Sequence, residues 1–259
     1  MDYTLAQFAK LFPEINLALG AGIMVFARFL GLMQFAPGFN RKELPMMARL
    51  SLALIITVVT TSIIKPPQIP DGTSVILCLL LNYMFGALIG YIVNCVLSAI
   101  SAGGDMINTQ MGLSSAMVLD PTTRVQTSIL GNLFTLVGVI IFISIGGLYW
   151  LIDAFIRSFE IFPAYGVNVP LDKIVNLDYL ILITSNVFMV GMQIAAPVLL
   201  ATLGQDIILG TISKTAPQVN VFQMSFLFKP VMGALILVWI LPMLINVITD
   251  YLYSFSNIF

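Results

Sequence analysis

The chain has 259 residues, of which 59 % are apolar and only 9 % are charged, and its mean hydropathy is +1.02. Soluble domains carry about 25 % charged residues, so this composition excludes a soluble globular protein and indicates an integral membrane protein. The formal net charge is −1 and histidine is absent, which removes a polybasic surface for nucleic acid, histidine-dependent zinc sites and Ser-His triads.

Six apolar stretches are each long enough to cross a bilayer as a helix, which takes about 20 residues. Lipid offers the backbone no hydrogen-bond partners and these runs are too long for barrel strands, so we predict an all-α membrane protein with about six long apolar helices. All of them belong to a single domain over residues 1–259. The predicted segments are approximately 15–36, 46–64, 73–100, 127–152, 178–204 and 225–249.

Polar residues recur inside these segments. Arg28 lies in the first segment, and an unpaired charge at the middle of a bilayer costs at least about 2.5 kcal/mol. Asn82, Asn94 and Asn186 lie within later segments. We expect these four side chains to find partners across contacts with other subunits.

Small residues and prolines also mark the segments. Gly86 and Gly90 form a G-x-x-x-G pattern, which lets helix backbones approach closely. Pro197 and Pro230 interrupt the fifth and sixth segments, and because each removes a helical hydrogen bond we expect kinks or breaks there. These features indicate helices that mostly contact protein, and a plain six-helix bundle that buries its own polar atoms stays open as an alternative.

A polar insert separates the third and fourth segments and reads INTQMGLSSAMVLDPTTR over residues 107–124. Gly103 and Gly104 just before the insert and Gly112 within it permit unusual backbone angles and movement. Its methionines and leucines offer soft apolar contacts that can repack around any sequence. Asp120 before Pro121 is a turn former that would end the loop.

The sequence offers no convincing catalytic constellation. Residues 102–105 (AGGD) depart from the G-x-G-D pattern of intramembrane aspartyl proteases because alanine replaces the first glycine, and nothing around Asp206 supports a second catalytic carboxylate. We therefore expect no catalytic residue, no metal site and no cofactor. An ion-coupled small-molecule transporter with a re-entrant loop stays open as the alternative function.

Four blocks in combination resemble the FliR/SctT family, the export-gate subunits of flagellar and injectisome type III secretion systems. One is Arg28-x-x-Gly31 followed by APGFNRKELPMMAR at 36–49, and another is QMGLSSAMVLDP at 110–121. GMQIAAPVLLATLGQDIILGTISKTAPQVNVF at 191–222 contains the family's P-Q-x-N-x-F, and SFLFKP at 225–230 stands where members typically have G-F-P-L-K. The resemblance covers nearly the whole chain, and its Q-V-N-V-F block favours a flagellar protein.

The resemblance implies a subunit, present in one copy, that closes a helical export-gate ring with the P and Q subunits. Its channel passes unfolded rod, hook and filament proteins across the bacterial inner membrane at the flagellar basal body. The B switch subunit and the large A subunit are the further implied partners, alongside membrane lipid and without nucleic acid. The subunit itself is not an enzyme.

The resemblance also implies that the insert, approximately residues 103–122, is a plug lying in that channel, where a hydrophobic constriction blocks ions by dewetting. The predicted plug residues are Met106, Gln110, Met111, Gly112, Leu113, Ser114, Ser115, Ala116, Met117, Asp120 and Pro121. The residues predicted at subunit interfaces or helix kinks are Arg28, Gly86, Gly90, Pro197, Gln218, Asn220, Phe222, Lys229 and Pro230.

Overall fold

The computed structural model describes residues 13–37, 45–64, 74–113, 128–166 and 177–256. Within these ranges the chain forms helices joined by turns, and no strand is present. The predicted all-α fold is therefore confirmed. The helices are α1 (Pro13–Phe35), α2 (Met46–Ile63), α3 (Val75–Gln110), α4 (Ile129–Ser144), α5 (Gly147–Ile161), α6 (Leu177–Thr215) and α7 (Val221–Ser256).

Five helices (α1, α2, α3, α6 and α7) are long and apolar enough to cross a membrane, and α4 with α5 makes a sixth span if this broken pair is counted as one. The prediction of about six long apolar helices is thus confirmed. The fourth predicted segment differs in detail, because a turn at Ile145 and Gly146 divides it into two helices. Gly146 has a φ of 87°, a conformation that glycine adopts without the steric cost of a Cβ.

Helices α3 and α6 extend well beyond the apolar runs that predicted them. Helix α3 has 36 residues and α6 has 39, ending at Gln110 and Thr215 instead of residues 100 and 204. Residues 101–110 (SAGGDMINTQ) are mostly polar or small but contain no proline, so the helix continues where hydropathy falls. At a rise of 1.5 Å per residue α3 is about 54 Å long, which exceeds the ~30 Å hydrocarbon core of a bilayer.

The prolines in the last two helices do not end them. Pro197 lies inside α6, and Pro230 and Pro242 lie inside α7. Each proline withholds one backbone N–H from the helix, but the apolar residues on both sides continue it. The breaks that we expected at Pro197 and Pro230 do not occur, whereas a kink at either proline stays a prediction.

The described helices form two compact units. The first contains α1, α2, α3 up to Asn94 and α5 from Leu148; the second contains the rest of α3, α4, α6 from Ile181 and α7. Each unit has its own buried apolar core.

In the first unit α1 and α3 cross at glycines. A Cβ on Gly86 would overlap the carbonyl oxygen of Arg28, and one on Gly90 would lie 2.5 Å from the carbonyl oxygen of Leu32. Gly31 of α1 faces the backbone of α3 in the same way. The G-x-x-x-G pattern therefore joins two helices of one chain, which corrects our expectation that Gly86 and Gly90 lie at a subunit interface.

Much apolar surface on the long helices is not covered by the chain itself. In α7, Leu235, Val238 and Trp239 are exposed, the tryptophan by 84 %. In α2, Met46 and Met47 are exposed as well. In a membrane protein such surfaces contact lipid or the helices of other subunits.

Candidate functional site

The predicted plug begins inside helix α3. Residues 103–110 continue the helix, and the chain leaves it at Met111. Met106 and Gln110 are half-buried side chains of that helix, and Leu113 is half-buried just beyond it. The remaining predicted plug residues lie outside the described ranges; they are Ser114, Ser115, Ala116, Met117, Asp120 and Pro121.

Gly103 and Gly104 allow close packing in the second unit. A Cβ on Gly103 would lie 2.8 Å from Cγ2 of Ile194 in α6, and a Cβ on Gly104 would lie 2.7 Å from the carbonyl oxygen of Leu130 in α4. The expectation that these two glycines permit unusual angles and movement is wrong, because both are helical and both are held between neighbouring helices.

Gly112 does adopt the conformation that its residue type favours. Its φ is 72°, and its N–H donates to the carbonyl oxygen of Thr109 at 3.1 Å. The N–H of Met111 donates to the carbonyl oxygen of Ile107 at 2.9 Å. A left-handed glycine directly after the last turn is a common helix end, so Gly112 sets the direction in which the chain leaves α3.

After the insert the chain enters helix α4, whose N-terminus is capped. The Ser128 Oγ accepts a hydrogen bond from the N–H of Gly131 at 2.9 Å, which caps the N-terminus of α4. The carboxylate of Asp105 lies so close that a Cβ on Gly131 would overlap it. A negative charge stabilises the N-terminus of a helix. The two flanks of the insert are therefore packed against each other, and each has its own cap.

Met111 is the one predicted plug residue, among those the structure describes, that is buried, with 2 % of its surface exposed. Its side chain packs against Gly233 of α7. Gly233 was not among the predicted site residues, since one glycine in a long apolar helix gives no signal of what it faces.

Arg28 forms a buried polar centre in the first unit, with 0 % of its surface exposed. Its Nη2 donates to Asn82 Oδ1 and to the carbonyl oxygen of Phe162, both at 2.7 Å. Its Nε donates to the same Asn82 oxygen at 3.1 Å, and its Nη1 donates to Ser158 Oγ at 2.9 Å. The guanidinium carbon lies 3.7 Å from the ring centroid of Phe159, a favourable cation–π contact.

These bonds correct the expectation that Arg28 and Asn82 find their partners in other subunits. The Asn82 side chain also donates to the carbonyl oxygens of Cys78 and Ala164, at 2.8 and 2.9 Å. The amide therefore uses its oxygen and both of its N–H groups within one chain. The arginine, the asparagine and the turn after α5 together fasten α1, α3 and α5 of the first unit.

The other predicted interface residues lie where α6 and α7 meet. Lys229 Nζ lies 2.7 and 3.0 Å from the two carboxylate oxygens of Asp206, so its partner is within the chain. Asn220 accepts a backbone N–H of the first turn of α7 at 3.2 Å. Gln218 and Phe222 are exposed and accessible to a partner, and their place at a subunit interface stays a prediction.

Asp105 and Asp206, the two aspartates considered for an intramembrane protease, both pack against or pair with other parts of the chain. Asp105 lies against the first turn of α4, and Asp206 is paired with Lys229. No group of three or more cysteine, aspartate or glutamate side chains in those ranges is placed to hold a metal ion. The aspartates considered for an intramembrane protease are thus engaged in packing and pairing.

Comparison with known proteins gives a family. The family described as "Bacterial export proteins, family 1" matches residues 19–255. The flagellar biosynthetic protein FliR of Bacillus subtilis (strain 168) is 26 % identical over 226 residues, covering 84 % of this chain and 85 % of the relative. FliR of Escherichia coli (strain K12) is 25 % identical over 231 residues, covering 88 % and 86 %. The surface presentation of antigens protein SpaR of Shigella flexneri is 25 % identical over 218 residues, covering 82 % of each.

Proposed function

The chain belongs to the bacterial export proteins, family 1, and we propose that it is the type III export-gate subunit that forms and plugs the channel for unfolded proteins. The observation that carries this proposal is the family match over residues 19–255, which includes the insert and nearly every described helix. The flagellar relatives from Bacillus subtilis and Escherichia coli favour rod, hook and filament proteins as the cargo. No relative reported above is named as a small-molecule transporter.

Within the export apparatus the chain is an integral membrane subunit. We place it as a single copy beside the P and Q subunits, with the B and A subunits as neighbours, in the inner membrane at the flagellar basal body. The exposed apolar faces of α2 and α7 support this arrangement, because sibling helices and lipid would cover them. The chain forms part of the channel wall and closes the channel, and it carries out no catalysis and holds no cofactor.

The plug role is supported by how the insert is anchored. Gly112 ends α3, Ser128 begins α4, and Met111 is buried at the point of departure. A segment that starts and ends at fixed positions can be held in a channel. Its methionines and leucines would exclude ions by dewetting, and they would yield to any polypeptide because such contacts are not sequence-specific.

Deletion of residues 110–117 in a motile host tests the plug. We expect the membrane potential to fall, as measured with a potential-sensitive dye, together with slower growth and altered release of flagellar proteins. The control carries the same deletion in a strain that lacks the P subunit, where the leak should disappear because no channel assembles. Loss of one solute's uptake with export intact would identify a transporter instead. A normal membrane potential with a normal amount of assembled gate would refute the plug.

A further inference from the structure

We propose that Gly233 of α7 is a positioning residue for the plug, because the space above its Cα receives the side chain of Met111 and thereby fixes where the chain leaves α3. The proposal rests on the proposed function of the insert. It concerns a residue on another helix, however, and it can be wrong while the plug role is right.

The contact between the two residues is close and specific. The three heavy atoms nearest to an ideal Cβ on Gly233 all belong to Met111, with Cγ at 2.5 Å, Cε at 2.9 Å and Sδ at 3.0 Å. Cβ atoms in proteins essentially never approach other atoms within 3.0 Å. Any larger residue at position 233 would therefore displace Met111 or move α7 away from it.

The surroundings of Met111 indicate that this contact controls the exit of the chain. Met111 is buried although it lies beyond the last residue of α3. The next residue, Gly112, has a φ of 72°, so a displacement of Met111 would redirect everything that follows. The missing side chain of Gly233 leaves a notch in the surface of α7. An unbranched, flexible methionine side chain can fill such an irregular space.

A glycine inside a helix costs stability relative to alanine, so its presence needs a reason. Gly204 and Gly210 of α6 have no heavy atom within 4 Å of an ideal Cβ. Those two glycines show that helical glycines in the second unit need not face a neighbour. At Gly233 the neighbour is Met111, the first residue after α3, and we assign the glycine to this contact.

The test replaces Gly233 with alanine in cells whose only copy of the subunit carries the change. We expect the ion leak, measured with the potential-sensitive dye, to rise about tenfold, because one added carbon overpacks the notch and favours the displaced position of Met111. The matched control is Gly210→Ala, the same replacement in open space, which should leave the membrane potential at its wild-type value.

A second variant separates positioning from general packing. Met111→Ala alone empties the notch and should leak as well, and because it also removes the clashing atoms, adding Gly233→Ala to it should not increase that leak. A double variant that leaks more than Met111→Ala alone would overturn the proposal. Failure of Gly233→Ala to assemble with the P subunit, unrelieved by Met111→Ala, would overturn it too.

The two proposals fail in different ways. If deletion of residues 110–117 leaks and Gly233→Ala does not, the plug stands and the positioning role of Gly233 is wrong. If neither change leaks while both gates assemble in normal amounts, the plug function itself is wrong.

Discussion

Replacing Arg28 with lysine tests whether a guanidinium, rather than merely a positive charge, holds the first unit together. The guanidinium reaches three acceptors from three different nitrogens, on Asn82, Ser158 and the backbone of Phe162. A lysine side chain has only one nitrogen and lacks the planar set of donors of arginine, so it cannot reach all three acceptors. At least one buried acceptor would lose its donor, and the stacking on Phe159 would be lost as well.

The expected loss follows from those bonds. A hydrogen bond to a charged group contributes about 1.5–3 kcal/mol, and a buried acceptor left without a donor costs about 1–3 kcal/mol. We therefore expect Arg28→Lys to destabilise the subunit by about 3 kcal/mol. At the sensitivity of a soluble domain of similar length, this lowers the midpoint of thermal unfolding by about 6–12 °C.

The assay is thermal aggregation of the purified gate, followed by light scattering. The control is Arg157→Lys in α5, which makes the same exchange at a side chain that is 63 % exposed and 2.9 Å from Asp153. An exposed ion pair contributes less than about 1 kcal/mol, so this variant should aggregate near the wild-type temperature. Equal midpoints for the two lysine variants would refute the role that we give to the guanidinium.

Two further sets of variants test the packing, one set in each unit. Gly86→Ala should abolish accumulation of the subunit in the membrane, because its Cβ would overlap the backbone of α1. The control Gly210→Ala should accumulate normally on an immunoblot. Equal amounts of the two variants would contradict the close crossing of α1 and α3. Asp206→Lys or Lys229→Asp alone should lower stability by roughly 1 kcal/mol, since both side chains are partly exposed. The combined exchange should restore the aggregation midpoint, and a double variant less stable than either single change would contradict the pairing.

The helical class and the number of long apolar segments could be predicted because they follow from hydropathy alone. Helix ends could not, since hydropathy falls where side chains become polar and a helix ends where the backbone is interrupted. Helix α3 illustrates the difference, as it passes through Gly103 and Gly104 and ends just before Gly112. The glycine that ends it was visible in the sequence, but three glycines offered equivalent signals.

The contact partners of individual residues could largely not be predicted from the sequence. The G-x-x-x-G pattern at Gly86 and Gly90 predicted a close approach of helices correctly and did not say which helix approaches. Arg28 was rightly expected to need partners, yet those partners lie 54 to 134 residues away in the chain. Gly233 gave no signal at all, because its importance depends entirely on the side chain of Met111.

The fluorescence of the exposed indole of Trp239 can report on the surroundings of α7. The chain has two tryptophans, and Trp150→Phe would leave Trp239 as the sole source of tryptophan emission. Indole emission shifts to shorter wavelength when water is replaced by an apolar neighbour, and brominated acyl chains quench it only on contact. The emission wavelength and the quenching of Trp239 would therefore distinguish a face of α7 that contacts lipid from one that is covered by a helix of another subunit.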